Sequence, residues 1–150
     1  LGDVYKRQGC YYPVVRGEKS FVDVVREVTD GEGCAVVYEA IGKDTLQHSL
    51  DSLRPMGVCA AYGHVSGPPD PVDIIQDLGR RGSLFITRPA IMHYVAKRAD
   101  LEWTARDLFK AIGGGVLKAN INYEYALKDA VKAHEAIESG KTLGATVLIP

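Results

Sequence analysis

Apolar residues along this chain occur in short runs that alternate with longer stretches of helical periodicity. Four runs rich in Val, Ile and aromatic residues predict strands at residues 13–16, 34–39, 58–62 and 84–87. These runs are apolar on both faces, which is typical of strands in a parallel sheet. Because helical stretches separate them, the pattern predicts an α/β fold with a doubly wound parallel sheet.

Two amphipathic stretches between these strands predict helices. The first covers residues 21–29 and follows Ser20, a residue type that commonly caps the N-terminus of a helix. The second covers residues 44–53, and we expect Pro55 to end it. The apolar positions expected on the buried faces are Phe21, Val24, Val25 and Val28 in the first helix and Leu46, Leu50 and Leu53 in the second.

After the fourth predicted strand the pattern changes. Residues 100–112 predict a long amphipathic helix, which we expect to end at the glycines 113–115. A period-two strand at residues 119–125, a helix at 128–139 and a strand at 145–149 follow. The residues expected to face inward on the long helix are Leu101, Ala105, Leu108, Phe109 and Ile112.

Composition and charge exclude several classes of protein. The 150 residues are 46% hydrophobic and carry 18 Lys and Arg against 19 Asp and Glu, for a formal net charge of −1. A nucleic-acid groove or an anionic membrane surface requires a basic excess, so we expect neither partner. No apolar stretch approaches the roughly 20 residues of a membrane span, and the mixed, charged residues 1–8 are not expected to be a signal peptide.

Cysteines and histidines are too scattered to indicate a metal site. Cys10, Cys34 and Cys59 form no Cys-x-x-Cys pair, and the four histidines form no His-x-x-x-His pair. We therefore expect no metal site in this chain. Thiols within apolar runs favour a reducing compartment, and the expected location is the cytoplasm.

Two glycine motifs resemble phosphate-binding loops but lack the geometry that such loops need. Gly140-Lys141-Thr142 follows a predicted helix and precedes a predicted strand, whereas a P-loop runs from strand to helix. The glycines 113–115 close a helix instead of opening one. The dinucleotide pattern Gly-x-Gly-x-x-Gly is absent from the chain, and any dinucleotide hypothesis must explain its absence.

Seven segments, in order along the chain, carry a resemblance to a known family. They read VVYEAIGKDT (36–45), SLDSLRPMG (49–57), YGHVSGP (62–68), GSLFITRP (82–89), YALKDA (125–130), AH (133–134) and LIP (148–150). From residue 9 to residue 150, the chain resembles the carboxy-terminal portion of the zeta-crystallin-like quinone oxidoreductases, within the medium-chain dehydrogenase/reductase superfamily. The Thr-Arg-Pro segment at 87–89 points most narrowly to the quinone reductases.

The resemblance implies a fold and a division of the chain. Family members have an amino-terminal GroES-like catalytic domain and a Rossmann domain with strand order 3-2-1-4-5-6. This chain then holds strands three to six of a partial Rossmann domain, followed by helices and strands that return to the absent GroES-like domain. Strands one and two and the glycine-rich turn are expected upstream of residue 9. Residues 9–115 are then the partial NAD(P)-binding domain, and residues 116–150 are the segment that returns to the catalytic domain. Residues 1–8 are left unassigned, and one interpretation is that they are foreign to the family sequence.

The resemblance also implies which residues contact the cofactor, since ligands of a doubly wound sheet lie beyond the carboxyl ends of its strands. Residues after the second predicted strand are expected on the adenosine side, and those at the ends of the third and fourth near the nicotinamide. The alternative is that the glycines there only serve tight turns. His64 is expected either to donate to the ribose or carboxamide or to be an exposed loop residue, and Arg16 either to bind a 2′-phosphate or to be a surface arginine. The expected cofactor-binding residues are Arg16, Ala40, Ile41, Gly42, Tyr62, Gly63, His64, Phe85, Ile86 and Thr87.

By the same resemblance, the expected activity is zinc-independent hydride transfer from NADPH to a quinone or conjugated carbonyl, in a homodimeric protein. No residue of the chain is an evident acid, base or nucleophile, so the sequence assigns no catalytic residue. Two alternatives stay open: a zinc alcohol dehydrogenase of the same superfamily, with its ligands upstream, and a non-catalytic protein-binding module. The chain by itself is expected to be inactive.

Overall fold

The computed structural model describes residue 6, residues 9–15 and residues 17–150. Its contacts divide into two compact units, one that ends at His93 and one that begins at Tyr94. Each unit contains one parallel β-sheet and helices. The predicted α/β fold class with parallel strands is therefore confirmed, whereas the predicted division after residue 115 stays a prediction.

Three parallel strands form the sheet of the first unit. The elements up to residue 94 are α1 (Phe21–Val28), β1 (Cys34–Glu39), α2 (Leu46–Asp51), β2 (Leu53–Ala61), a π-helical turn (Ile74–Gly79), β3 (Phe85–Thr87) and α3 (Ile91–Tyr94). The strands are hydrogen-bonded in the order β1-β2-β3, which is also their order in the chain. A helical connection therefore leads from each strand to its neighbour, as the alternating pattern predicts.

Helix α1 begins where the sequence predicts it. The Ser20 hydroxyl accepts a hydrogen bond from the backbone N–H of Asp23 at 3.3 Å, which satisfies one donor of the first turn. The predicted apolar stripe is corrected at two positions. Val22 is the buried residue of this helix, whereas Val28 is exposed because it lies in the last turn, next to the exposed residues 30–32.

The core of the first unit lies between the sheet and α2. Leu46 and Leu50 of α2 are 2% and 0% exposed, as the helical spacing of the leucines predicts. Full burial of a leucine side chain stabilises a fold by about 1.5–3 kcal/mol, so these two residues hold α2 on the sheet. The core residues are Leu46, Leu50, Leu53, Cys59 and Leu84, with Val37 and Ile86 packed against them.

The opposite face of this sheet is apolar and exposed. Val36 and Tyr38 of β1 and Phe85 of β3 lie on it and are 45%, 76% and 61% exposed. The expectation that both faces are covered is therefore wrong for the described residues. Successive side chains of a strand point to opposite faces, and α2 packs on the other face of this sheet.

Strand β2 is longer than predicted. It begins at Leu53 and includes Pro55, whereas the sequence predicts that Pro55 ends the preceding helix. The pairing with β1 shifts after Leu53 and becomes regular at Val58, the predicted start. In the irregular part, Met56 has a φ of 60° and its N–H donates to the Gly82 carbonyl at 2.8 Å. Pro55 is tolerated there because an irregular stretch does not need its missing N–H for the ladder.

The predicted strand at residues 13–16 is not found. Pro13, Val14 and Val15 lie outside the strands of the structure, and Arg16 lies outside the described residues. In the family order that the resemblance implies, this segment is strand three and pairs with strand two of the Rossmann domain. None of the strands in the described part of the chain corresponds to that strand two. The N–H and C=O groups of this segment therefore lack the neighbour that a strand requires.

A two-stranded sheet and two helices make up the second unit. Its elements after residue 94 are α4 (Arg98–Gly113), β4 (Ile121–Ala126), a 3-10 turn (Leu127–Asp129), α5 (Ala130–Glu138) and β5 (Ala145–Ile149). Strands β4 and β5 are parallel, and α5 connects them, with Ala133 as its buried residue. Lys141 therefore follows a helix and precedes a strand, as the sequence predicts, whereas a P-loop runs from strand to helix.

Helix α4 has the predicted position but not the predicted burial. None of its residues is buried, and the side chains of Leu101, Leu108, Phe109 and Ile112 are exposed. The expectation that they face inward is wrong for the described residues, because periodicity shows which side of a helix is apolar but burial needs another element on that side. Of the helices in the described part of the chain, none combines the length and apolar character that a membrane crossing needs.

Candidate functional site

Three loops meet at the carboxyl edge of the sheet in the first unit. They are residues 40–45 after β1, residues 62–69 after β2 and residues 88–90 after β3. Because the strands are parallel neighbours, their carboxyl ends lie at the same edge. A doubly wound sheet binds its ligands at such an edge, and the predicted cofactor residues after β1 and β2 all belong to it.

A buried carboxylate organises the first of these loops. Glu39, the last residue of β1, is 4% exposed. Its Oε1 accepts hydrogen bonds from the N–H of Ile41 at 2.6 Å, the N–H of Gly42 at 3.0 Å and the hydroxyl of Thr45 at 2.9 Å. Its Oε2 accepts a hydrogen bond from the Ser49 hydroxyl. The carboxylate thus ties the loop after β1 to the start of α2.

Burial and hydrogen bonding act in opposite directions on the pKa of Glu39. Burial raises it, because the ionised form loses hydration. The hydrogen bonds from Ser49, Gly42, Ile41 and Thr45 favour the ionised form, and together they hold the pKa of Glu39 below its ordinary value. The carboxylate is therefore ionised at neutral pH, where it accepts hydrogen bonds and donates no proton.

Main-chain hydrogen bonds join the loop after β1 to the loop after β2. The N–H groups of Tyr62 and Gly63 donate to the Glu39 carbonyl at 2.9 and 3.2 Å. Ser66 donates to the Ile41 carbonyl through its N–H at 2.8 Å and through its hydroxyl at 2.9 Å. These main-chain groups are engaged within the loop pair, so they are not available to hold a ligand.

The contact between the two loops explains two of their glycines. A Cβ atom at Gly63 would lie 2.0 Å from the carbonyl oxygen of Ala40, and one at Gly42 would lie 2.6 Å from the carbonyl oxygen of Gly67. Gly42 also has a φ of 95°, which favours glycine. Packing alone therefore accounts for both glycines, which supports the turn interpretation of these two residues.

Arg88 links the end of β3 to the loop after β2. Its Nη1 donates to the carbonyl of Tyr62 and, at 3.4 Å, to that of Pro89. Its Nη2 lies 3.3 Å from Nδ1 of His64. Both side chains belong to exposed residues, so a guanidinium and an imidazole stand together at the surface of this edge.

Two cavities open at this edge of the sheet. The first, of about 290 Å³, lies beside the end of β1, and the second, of about 260 Å³, has His64 and Arg88 in its wall. Largely apolar walls with a few polar groups are typical of sites for organic ligands. The apolar lining consists of Val14, Phe21, Tyr38, Ala40 and Ile41 in the first cavity and of Leu46, Ala61, Pro68 and Pro69 in the second.

The predicted cofactor residues of β3 lie in three different surroundings. The side chain of Phe85 is on the exposed face of the sheet, that of Ile86 packs into the core, and Thr87 is exposed at the end of the strand. Arg16, the remaining predicted residue, lies outside the described residues. The structure thus brings together the residues after β1 and β2 and sets the end of β3 beside β2.

The predicted site residues do not include Glu39, Ser66 and Arg88, whose side chains join the loops of this edge. The sequence contains a signal for Glu39, because this acidic residue ends an apolar strand. A buried carboxylate needs several hydrogen-bond donors, so its position predicts a polar cluster around it. The contacts of Ser66 and Arg88 join segments 24 to 26 residues apart. They depend on strand register, which no local pattern reveals.

The Cys59 thiol is not a reactive group of this site, and the described His, Cys, Asp and Glu side chains do not form a metal site. Cys59 is fully buried, and burial together with the Glu39 carboxylate raises the pKa of its thiol to about 11. A thiol in this state is neither a good nucleophile nor a ready metal ligand. Within the described ranges, no group of three or more His, Cys, Asp or Glu side chains is arranged to hold a metal ion, so these residues do not fit a zinc site.

Comparisons with known proteins identify relatives along at least 95% of the chain. The model of a family described as zinc-binding dehydrogenase matches residues 13–148. A 2-haloacrylate reductase from a Burkholderia species is 47% identical over 97% of this chain and 44% of its own length. A quinone oxidoreductase from Salmonella typhimurium is 40% identical over 95% of this chain and 44% of its own length. The crystal structure of the Escherichia coli quinone oxidoreductase complexed with NADPH has a TM-score of 0.90 and 35% identity, over 99% of this chain and 46% of that one. The chain therefore spans less than half the length of these relatives.

Proposed function

The chain belongs to the family of zinc-binding dehydrogenases, and from this membership we propose that the whole protein is an NADPH-dependent oxidoreductase. It transfers hydride to a quinone or another conjugated carbonyl compound. Support comes from the quinone oxidoreductases and the 2-haloacrylate reductase among its relatives, one of which was crystallised with NADPH.

The observation that carries the proposal is the joined pair of loops at the carboxyl edge of β1 and β2, with a cavity at each. The apolar cavity beside Phe21 and Tyr38 suits a flat adenine ring, and the cavity beside His64 suits the nicotinamide and substrate. When bound, the cofactor supplies the hydride. The pyrophosphate of such a cofactor normally rests on a Gly-x-Gly-x-x-Gly turn, and this chain contains no such pattern. The residues of this edge are therefore proposed to hold the adenosine and the nicotinamide, which are the two ends of the cofactor.

The residues of this edge are proposed to bind and orient, not to transfer protons. Glu39 ties the loop after β1 to the start of α2, and groups of this edge that are not hydrogen-bonded within it are proposed to contact the ligand. The proposed contacts are Ala40, Ile41 and Gly42 on the adenosine side, Tyr62, Gly63, His64, Phe85, Ile86 and Thr87 on the nicotinamide side, and Arg16 at the 2′-phosphate.

The proposed reaction proceeds without zinc. In the described part of the chain no ligand set is present, so no step is assigned to a metal held by these residues. The alternative is a zinc alcohol dehydrogenase whose ligands lie elsewhere in the whole protein. A set of Cys and His ligands upstream of residue 9 in the whole protein favours that alternative.

A homodimer in the cytoplasm is also part of the proposal. β3 is an edge of the described sheet, and its unpaired N–H and C=O groups beside the exposed Phe85 suit pairing with a second copy. The three cysteines are free, which favours a reducing compartment. Light scattering that finds only monomers of the whole protein at micromolar concentration argues against the dimer.

The test of the function is reduction of p-benzoquinone by the purified whole protein, followed through the consumption of NADPH. We expect turnover with NADPH and an unchanged rate after treatment with EDTA. Loss of activity with EDTA that zinc restores supports the alcohol dehydrogenase alternative. A protein that neither binds nor oxidises NADPH contradicts the proposal and supports a non-catalytic module.

A further inference from the structure

Arg88 stands beside the cavity assigned to the nicotinamide and substrate. We propose that Arg88, with His64 next to it, binds the carboxylate of the substrate, and that the substrates are small conjugated acids of the 2-substituted acrylate type. This inference rests on the proposed function, because it names the substrate class for the same site. Three features of Arg88 carry it: its hydrogen bonds, its charge and the cavity beside it.

Hydrogen bonds hold the guanidinium in place and leave part of it open. Nη1 donates to the carbonyls of Tyr62 and Pro89, and Nη2 contacts Nδ1 of His64. Within the described residues no hydrogen bond uses Nε. The Nε–H and an Nη2 N–H form the pair of donors that can bind a carboxylate through two parallel hydrogen bonds. The guanidinium is therefore positioned without losing its capacity to bind an anion.

Charge distinguishes Arg88 from an arginine that only stabilises the fold. Arg81, which links α2 to the π-helical turn, forms ion pairs with Asp51 and Asp77 at 2.7 Å each. Arg88 forms no ion pair with any described residue. Its side-chain neighbour is the His64 imidazole, which supplies no negative charge. A positively charged group without a counter-ion at the wall of a cavity attracts an anionic ligand.

The cavity beside Arg88 limits the size and chemistry of that ligand. Its volume is about 260 Å³, and Leu46, Ala61 and Pro68 supply apolar lining. Glu39 also lines it, but its carboxylate oxygens are held by Ile41, Gly42, Thr45 and Ser49, and it forms no ion pair with Arg88. A small apolar body with one carboxylate satisfies both the apolar wall and the guanidinium. A neutral quinone can accept a hydrogen bond from the guanidinium, but it supplies neither a negative charge nor the paired oxygens of a carboxylate.

The same contact assists the reduction of a 2-substituted acrylate. Hydride from the reduced nicotinamide adds to the β-carbon of CH₂=C(X)–COO⁻, the C=C π bond breaks, and its electron pair moves onto the α-carbon and the carboxylate. A proton from water then adds to the α-carbon, which yields CH₃–CHX–COO⁻ and the oxidised nicotinamide. Arg88 stabilises the negative charge that grows on the carboxylate oxygens during hydride addition. The name of one relative, a 2-haloacrylate reductase, describes a substrate of this class.

The first test uses the whole wild-type protein with NADPH and three substrates: 2-chloroacrylate, its methyl ester and p-benzoquinone. The ester keeps the reacting double bond but has no carboxylate. We expect kcat/KM for the acid to exceed that for the ester by about tenfold or more, although the ester is the more electrophilic alkene. We also expect the saturated acid 2-chloropropionate to inhibit competitively and its methyl ester not to inhibit. Reduction of p-benzoquinone without reduction of the acid overturns this inference alone, whereas reduction of none of the three overturns the proposed function.

The second test removes the guanidinium. Arg88→Gln is expected to lower kcat/KM for 2-chloroacrylate about 100-fold, while kcat/KM for the ester and the affinity for NADPH change by less than about twofold. Arg88→Lys keeps the positive charge but lacks the two parallel donors. Its kcat/KM for 2-chloroacrylate is expected to be about a tenth of the wild-type value. Arg80→Gln is the control, because it removes the same charge from an exposed arginine of the same unit and should change none of the three values.

Two results overturn the inference at this second stage. An equal loss with acid and ester, or a loss of NADPH binding, means that Arg88 acts on the cofactor or on the fold instead of the substrate carboxylate. If Arg88→Gln does not fold, the acid and ester comparison and the inhibitor pair decide the question on the wild-type protein.

Discussion

Three charged residues around the first sheet differ in how their charges are compensated. Glu39 is buried and receives four hydrogen bonds from the loop and helix that follow it. Arg81 is paired with two aspartates. Arg88 is exposed, is held by two carbonyls and an imidazole, and has no carboxylate partner among the described residues. The first two therefore stabilise the fold, and the third is the residue suited to a ligand.

Replacement of Glu39 by Gln is expected to lower the free energy of unfolding by about 1–3 kcal/mol at neutral pH, because a neutral amide cannot accept all four hydrogen bonds. The pKa of Glu39 is lowered in the folded state. Its contribution is therefore fully present above the ordinary pKa of a glutamate and is lost as the pH falls through the lowered folded-state pKa. Urea unfolding of the whole protein at neutral and acidic pH measures this, and the difference between variant and wild type should shrink at acidic pH.

Glu32→Gln is the matched control for this measurement. The Glu32 side chain is 65% exposed and forms an ion pair with Arg54 at 3.2 Å. Exposed ion pairs contribute about 0–1 kcal/mol, so this change should have a small effect. A loss for Glu39→Gln no larger than that for Glu32→Gln, or one that does not depend on pH, contradicts the role assigned to Glu39.

Cys59 is expected to resist thiol reagents while the protein is folded. The residue is fully buried, and the pKa of its thiol is raised to about 11 by burial and by the Glu39 carboxylate, so little thiolate exists at pH values near neutral. Cys10 is exposed and serves as the internal comparison. Labelling with Ellman's reagent followed by peptide mapping should find Cys10 modified and Cys59 unmodified until denaturant is added. Equal labelling of both in the native protein contradicts this assignment.

At the scale of elements, the loops after β1 and β2 behave as one structure because each supplies hydrogen-bond partners to the other. The family resemblance, with the rule that ligands of a doubly wound sheet lie beyond the carboxyl ends of its strands, implied that both loops belong to the ligand edge. It did not predict that the Tyr62 and Gly63 amides bond to the Glu39 carbonyl. That contact depends on the parallel pairing of β1 with β2 and on its register. The positions of loops could be predicted here, and the partners of their polar groups could not.

The same distinction applies to helices and strands. β1 and β5 have the bounds that their apolar runs predict, and Leu46 and Leu50 are in the core as their spacing predicts. The inclusion of Pro55 in β2 was missed, because local propensity assigns proline to a break. The exposure of α4 was missed because an apolar stripe does not reveal whether another element covers it.

The contact between the two loops predicts a large effect of a small substitution. Gly63→Ala places a Cβ atom 2.0 Å from the carbonyl oxygen of Ala40, so the loops must separate. We expect a loss of stability of about 1–3 kcal/mol or more, measured by thermal unfolding of the whole protein. Gly113→Ala is the control, because nothing lies within 4 Å of a Cβ atom there and the residue ends α4. It should be neutral or stabilising by about 0.4–1 kcal/mol, and equal melting temperatures for the two variants contradict the loop contact.

At the scale of the whole molecule, exposed apolar surface is prominent in both units. Val36, Tyr38 and Phe85 form the open face of the first sheet, and α4 of the second unit has no buried residue. Apolar side chains that stay exposed contribute none of the roughly 1.5–3 kcal/mol that each supplies when it is buried. Typical net stabilities are only about 5–15 kcal/mol, so the chain by itself is expected to be marginally stable.

The last prediction concerns the 150-residue chain by itself, which is expected to bind NADPH weakly and to reduce no quinone. The pyrophosphate of a dinucleotide rests on a glycine-rich turn at the N-terminus of a helix, and the chain contains no Gly-x-Gly-x-x-Gly. The amides of Ile41, Gly42, Tyr62 and Gly63 cannot replace that turn, because all four already donate to Glu39. Calorimetric titration with NADPH should show no saturation at micromolar concentrations, with the whole protein titrated alongside as the positive control. A micromolar Kd for the isolated chain, or quinone reduction by it, means that the loops after β1 and β2 are sufficient to hold the cofactor.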